Sequence, residues 1–145
     1  MPDGYETLQQ DHREVERLFE KYRSAKDDAI AREICAALTL HTEVEEQVVY
    51  PLLREQVPNG ATLSVRATDE HGLVSSHIAR VYEAPPPDLG GIMRDIERDV
   101  QVHVAFEEQE LFPAMRRAGV DAGELHDRVE AAKGEAPSRS SGQVG

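Results

Sequence analysis

The sequence predicts an all-α protein, an up-down-up-down antiparallel four-helix bundle with a short fifth helix at its C-terminal end. Four amphipathic stretches of about 20 residues, apolar at intervals of three and four, are separated by turn residues. Three Phe, four Tyr and no Trp among 39% hydrophobic residues suit a charged-surface helical protein better than a β-sandwich. At 145 residues the chain is one domain, long enough for a hydrophobic core.

The first helix is expected from about Tyr5 to Arg23, breaking in SAKDD. The second runs from about Ala29 to Glu55 and ends at VPNG, and the third from about Ala61 to Glu83, stopped by Pro85, Pro86 and Pro87. The fourth spans about Leu89 to Arg117 and ends at Gly119. Asp121 is the expected N-cap of a fifth helix reaching Lys133. Residues 1–134 thus form the bundle, while 135–145 are small and polar and are expected to be disordered. Short connections make neighbouring helices antiparallel.

Inward faces follow from spacing. They read Leu8, His12, Val15, Phe19, Tyr22 on the first helix and Ile34, Leu38, His41, Glu45, Val48, Leu52 on the second. The third gives Leu63, Ala67, His71, Val74, Ile78, and the fourth Ile92, Ile96, Val100, His103, Glu107, Leu111. Six ionisable residues interrupt four apolar seams. Measured from the turns, they fall at similar depths and form one polar layer in mid-bundle.

Such a layer is costly without a cation, because an unpaired buried carboxylate costs several kcal/mol. Positions i and i+4 differ by about 40° on a helix, so His41 with Glu45, and His103 with Glu107, can grip one site from the same face. Two carboxylates can each bridge two ions, and four histidines divide two per ion. An oxo or hydroxo bridge adds a fifth ligand to each ion, leaving one octahedral position open. Imidazole with carboxylate suits iron or manganese, and no thiolate favours zinc or copper(I). An open position beside a redox-active pair is where dioxygen, peroxide or nitric oxide would bind. The plainer alternative is a buried ion-pair layer without metal, which four His and two Glu satisfy poorly by themselves.

The stretches HTEVEEQVVYP (41–51) and HVAFEEQELFP (103–113) share His, Glu, Glu, Gln, an aromatic and Pro at identical offsets. His12 and His71 lie 59 residues apart and the two HxxxE blocks 62 apart, which reads as a duplicated helical hairpin. These residues resemble the haemerythrin-like, or HHE cation-binding, domain family over about residues 5–117. Its ligand pattern H…HxxxE…H…HxxxE is met by His12, His41, Glu45, His71, His103 and Glu107. The resemblance implies a non-haem di-iron centre. The oxygen-carrying members have a second histidine where this chain has Ser75, and an Asp five residues after the histidine where it has Glu108. The resemblance therefore points to the four-His, two-Glu bacterial relatives, which look like sensors or redox proteins. Glu107 is the expected ligand because it copies Glu45, with Glu108 as the alternative.

Tyr50 breaks the repeat, since its counterpart is Phe112. Both read as aromatic plugs at a bend, or else a kink at Pro51 swings the Tyr50 phenol towards the open metal position, as a ligand or as a hydrogen-bond donor to bound oxygen. His77 and His126 lie off the seams and read as surface residues, and Cys35 as core filling. The acidic excess, including Glu46 and Glu108, reads as a solvated face.

A net charge of -12 repels a phosphate backbone and an anionic membrane surface. No secretory signal is visible, no apolar run approaches spanning length, and a single cysteine fits a reducing cytoplasm. No Glu stands three residues before any histidine, and HExxH, GxSxG and CxxC are absent. Nothing supplies an organic-substrate pocket, so turnover of peroxide or nitric oxide and simple binding both stay open. The rival reading is a regulatory protein whose metal or redox state is read by a protein partner.

Overall fold

A computed structural model describes residues 2–83 and 89–144, with side chains through Glu135. The all-α expectation holds: α1 (Gly4–Ala25), α2 (Asp28–Val44), α3 (Tyr50–Gln56), α4 (Gly60–Glu83), α5 (Leu89–Phe106), α6 (Phe112–Arg117) and α7 (Ala122–Val144). α2 continues into α3, and α5 into α6, so that with α1 and α4 four long helices make the bundle. Turn chemistry sets their ends. Asp3 caps α1 by accepting from the N–H groups of Tyr5 and Glu6. Lys26 leaves the helix at φ 51°, and Asp27 caps α2 through the N–H of Ala29. Asn59, at φ 67°, reverses the chain into α4. A side chain at Gly60 would put its Cβ 1.9 Å from the carbonyl oxygen of Leu53, so only glycine fits that turn. The triple-proline stop at Pro85–Pro87 lies outside the described residues.

The bends at the two aromatic-Pro pairs take a different form from a proline kink. Glu45–Val49 and Glu107–Leu111 are single π-helical turns. Each is closed by a bond from the following aromatic, Tyr50 N–H to Glu45 O and Phe112 N–H to Glu107 O. This i to i+5 bond inserts one extra residue and brings the aromatic over the glutamate, where a regular α-helix would turn it well away. Pro51 and Pro113 then sit in the first turn of α3 and α6, where a missing N–H is tolerated.

The core is two apolar clusters on either side of the polar layer. One gathers Tyr5, Leu8, Val49, Leu53, Phe112 and Met115, and the other Phe19, Ile34, Leu38, Val74, Ile92 and Ile96. Cys35 is fully buried in the second, and burial pushes its thiol up to about 11, so it remains an inert thiol. α7 starts at the Asp121 cap and packs Leu125, Val129 and Ala132 against the first cluster. The phenol of Tyr5 donates 2.8 Å to the carbonyl of Val120 and ties α1 to that corner. α7 (Ala122–Val144) extends past the end expected near Lys133.

Candidate metal centre

The six seam residues meet in one layer. Glu45 and Glu107 are fully buried, His12, His71 and His103 are buried, and the His41 side chain is 10% exposed. Their donor atoms form two groups of four, His12–His41–Glu45–Glu107 and Glu45–His71–His103–Glu107, in each of which all atoms lie within 4.8 Å of one another. Both glutamates belong to both groups, and each splits its oxygens between them. Glu45 Oε2 lies 3.3 Å from His41 Nε2, while its Oε1 lies 3.0 Å from His71 Nε2. Glu107 Oε1 lies 3.1 Å from His12 Nε2, while its Oε2 lies 3.2 Å from His103 Nε2. Glu108 faces the other way, its Oε2 on His12 Nδ1, and does not enter either group.

The nitrogens converge in pairs, His12 Nε2 to His41 Nε2 at 3.2 Å and His71 Nε2 to His103 Nε2 at 3.0 Å. Two donors about 2.1 Å from one ion, at right angles, lie roughly 3 Å apart, so the pairs are spaced as neighbouring ligands. Glu45 Oε2 and Glu107 Oε1 are buried without a hydrogen bond. Unbonded carboxylate oxygens that face imidazole nitrogens suit a positive charge between them, a metal ion or a proton on the ring.

In the metal-free chain protons take that role. Burial lowers the pKa of His41 and His103, but Glu45 beside the first and Glu107 beside the second outweigh it. His41 rises to about 10 and His103 well above its ordinary value. Burial likewise pushes the Glu45 carboxyl up, and charged His41 more than reverses this, holding it well below the carboxylate range. Each nitrogen pair therefore contains one histidine whose charged form is favoured, and a metal must displace that proton. Apparent Mn(II) affinity should rise with pH by about tenfold per unit for each proton displaced. The metal-free fold should move the opposite way. The His41 contribution is complete below 6.5, its ordinary value, and is lost as pH rises through about 10. Calorimetric titration with Mn(II) and melting of the metal-free chain, both across pH 6.5 to 9, check the two signs.

Tyr50 stands inside the second group. Its phenol oxygen lies 3.2 Å from Glu45 Oε1, 3.1 Å from Glu107 Oε2, 2.9 Å from His71 Nε2 and 3.3 Å from His103 Nε2. Burial first, then the two carboxylates, push its pKa up in the metal-free chain, so the phenol keeps its proton and donates it to one carboxylate at a time. Phe112 holds the matching place in the first group, its ring parallel to His12 at 6.2 Å, and brings no oxygen. Both orphaned carboxylate oxygens face that side.

A cavity of about 20 Å³ lies against the four histidines, closed by Val15, Leu38, Val74, Val100 and Val104. It has room for a water or a diatomic molecule, not for an organic substrate. Val15, Val100 and Val104 also line a surface groove of about 270 Å³ between α1 and α5, so they stand between solvent and the four nitrogens. His77 stays off the layer against Asp99, and His126 bonds Thr7.

Residues 3–86 match the model of the Hemerythrin HHE cation binding domain. The chain belongs to the hemerythrin HHE cation-binding family. The match covers His12, His41, Glu45 and His71, and the internal repeat extends the pattern to His103 and Glu107. A hemerythrin-family chain with two such His/Glu groups is a metal-binding protein. A protein of Nostoc sp. (strain PCC 7120) named DNA nickase is 27% identical over 147 aligned residues, covering 96% of this chain and 41% of that protein. This hemerythrin-family chain thus spans less than half the length of that relative. No solved structure matches it. Among the described residues no helix is long and apolar enough to cross a membrane.

Proposed function

We propose that the protein holds two non-haem iron ions and uses them to bind or react with a small molecule: dioxygen, peroxide or nitric oxide. Glu45 and Glu107, each with one oxygen towards either donor group, would hold both ions, with an oxo or hydroxo group as a further ligand. His12 with His41 and His71 with His103 are the terminal ligands. Tyr50 is a fifth protein donor on the His71–His103 side alone. That asymmetry carries the reading: Tyr50 would give the His71–His103 side a donor that the His12–His41 side lacks, where the ring of Phe112 brings no oxygen. The iron pair supplies one-electron redox chemistry and an open position. The chain's own residues exclude water, admit only small molecules past the three valines, and balance the buried charge. The donor set accepts manganese as well.

A regulatory role without turnover is the second reading, favoured by one chain of contacts. Lys133 on α7 lies 2.8 Å from Asp11 Oδ2, which faces His41 Nδ1 at 3.9 Å, linking the layer to an outer helix. At net charge -12 the chain repels a phosphate backbone, which speaks against a nucleic-acid substrate of the kind the Nostoc relative's name implies.

Iron-supplemented protein, purified without chelators, should contain about two irons per chain with near-ultraviolet oxo-bridge absorption. Stopped-flow mixing with hydrogen peroxide or nitric oxide then separates the readings. Fast consumption supports the first; two irons with no consumption, and partner capture that changes on reduction, supports the second. A chain that folds and stays empty in iron sinks both.

A further inference from the structure

Three carboxylates that bind no metal in this reading touch the backs of the histidines. Glu108 Oε2 lies 2.7 Å from His12 Nδ1, Glu46 Oε2 3.0 Å from His71 Nδ1, and Glu70 Oε1 2.7 Å from His103 Nδ1. An ionised carboxylate only accepts, so each Nδ1 must donate, and the Nε2 of the same ring is the nitrogen left to take a metal once any proton on it is displaced. The fourth histidine has the same arrangement at longer range, Asp11 Oδ2 standing 3.9 Å from His41 Nδ1. Aspartate is one methylene shorter than glutamate, and the contact is an ion-pair distance instead of a hydrogen bond.

These residues follow the internal repeat. Asp11 and Glu70 immediately precede His12 and His71, and Glu46 and Glu108 immediately follow Glu45 and Glu107. The pairing crosses between halves. Glu46, on the first hairpin, holds His71 on the second, and Glu108, on the second, holds His12 on the first. We infer that Glu46, Glu70 and Glu108 are positioning residues of the metal centre, and that Glu46 and Glu108 make each half of the chain orient a ligand of the other. The inference rests on the reading of the six layer residues as ligands.

The outer surroundings single out Glu46 as the cleanest test. Glu108 is held in turn by Arg13 at 3.0 Å and Glu70 by Arg66 at 3.4 Å, so removing either breaks a second ion pair. Glu46 has no Lys or Arg partner among the described residues, and its side chain is 51% exposed. Changing it leaves the core packing intact and takes away only the hydrogen bond to His71 Nδ1.

The test loads wild type, Glu46→Ala, Glu46→Gln and Glu108→Ala with Mn(II) and follows release to a chromophoric chelator. Losing an outer partner of a ligating histidine typically costs about 10–100-fold in metal affinity. Glu46→Ala should therefore release one of its two ions faster by that factor, with the other at the wild-type rate. Glu46→Gln should restore the slow rate, since the amide oxygen still accepts from Nδ1. Glu108→Ala should speed one ion as well, and the Glu46→Ala/Glu108→Ala double variant both. Wild-type release kinetics in Glu46→Ala, equal acceleration of both ions, or no rescue by glutamine would overturn the positioning role. A wild-type chain that takes up fewer than two ions would instead overturn the ligand reading beneath it.

Discussion

Glu45→Gln is expected to cost the protein both metal ions, where His12→Ala or His71→Ala costs one. The difference follows from how the oxygens are divided. Glu45 Oε2 serves the His41 side and Oε1 the His71 side, and Glu45 is a member of both donor groups, whereas each histidine belongs to one. Glutamine keeps the shape of the side chain but has one acceptor oxygen and no charge, so it cannot bridge two cations. The layer would then hold four imidazoles and a single carboxylate against two divalent ions. Metal analysis after gel filtration should read about two ions per wild-type chain, one for each histidine variant and near zero for Glu45→Gln. Stability reports the same event. Metal at about a thousand times its Kd adds about 4 kcal/mol, on the order of 10 °C in melting temperature for a chain of this length. Glu45→Gln should show almost none of that shift. One ion kept tightly by Glu45→Gln would mean that Glu107 bridges alone, or that the carboxylates do not bridge.

The helices and the six layer residues were legible in the sequence for one reason. Apolar spacing of three and four fixes a face, and a histidine or glutamate on that face has nowhere to go but inward. His12, His41, Glu45, His71, His103 and Glu107 all arrive in the layer that the stripes place them in. The π-turns were not legible. A single inserted residue leaves no compositional mark, and Pro51 suggested a kink instead, although the result for Tyr50 is the inward turn that the kink was invoked to provide. Glu46 and Glu108 read as solvated surface, because each lies one residue off the seam. Their signal was present in the doubled Glu of both HxxxEE blocks and in the acidic residue before His12 and His71. It means something only once the opposite hairpin is in place, since Glu46 reaches His71 across the bundle.

The atoms that the two donor groups turn towards a metal differ at one place, the phenol oxygen of Tyr50 against the bare ring edge of Phe112, and exchanging that atom should exchange the chemistry. Iron(III) ligated by a phenolate absorbs visible light, so the wild-type iron form should be coloured beyond its oxo-bridge absorption. Tyr50→Phe should lose that band while keeping both irons, and it should bind azide at both ions instead of one. Phe112→Tyr should do the reverse. By the internal repeat its phenol falls among His12 Nε2, His41 Nε2, Glu45 Oε2 and Glu107 Oε1, two of which are the orphaned oxygens. Phe112 is only 2% exposed, so bulk water does not reach the new hydroxyl. An incoming ligand must then displace a phenol interacting with charged groups. That interaction is worth about 1.5–3 kcal/mol, or roughly 10–150-fold in affinity. Azide titration of the three iron(III) forms, followed optically, measures all of this at once. If Phe112→Tyr binds azide as wild type does, the small molecule does not enter on the His12–His41 side. If Tyr50→Phe keeps the visible band, Tyr50 is a hydrogen-bond donor to the bridging carboxylates and never a ligand.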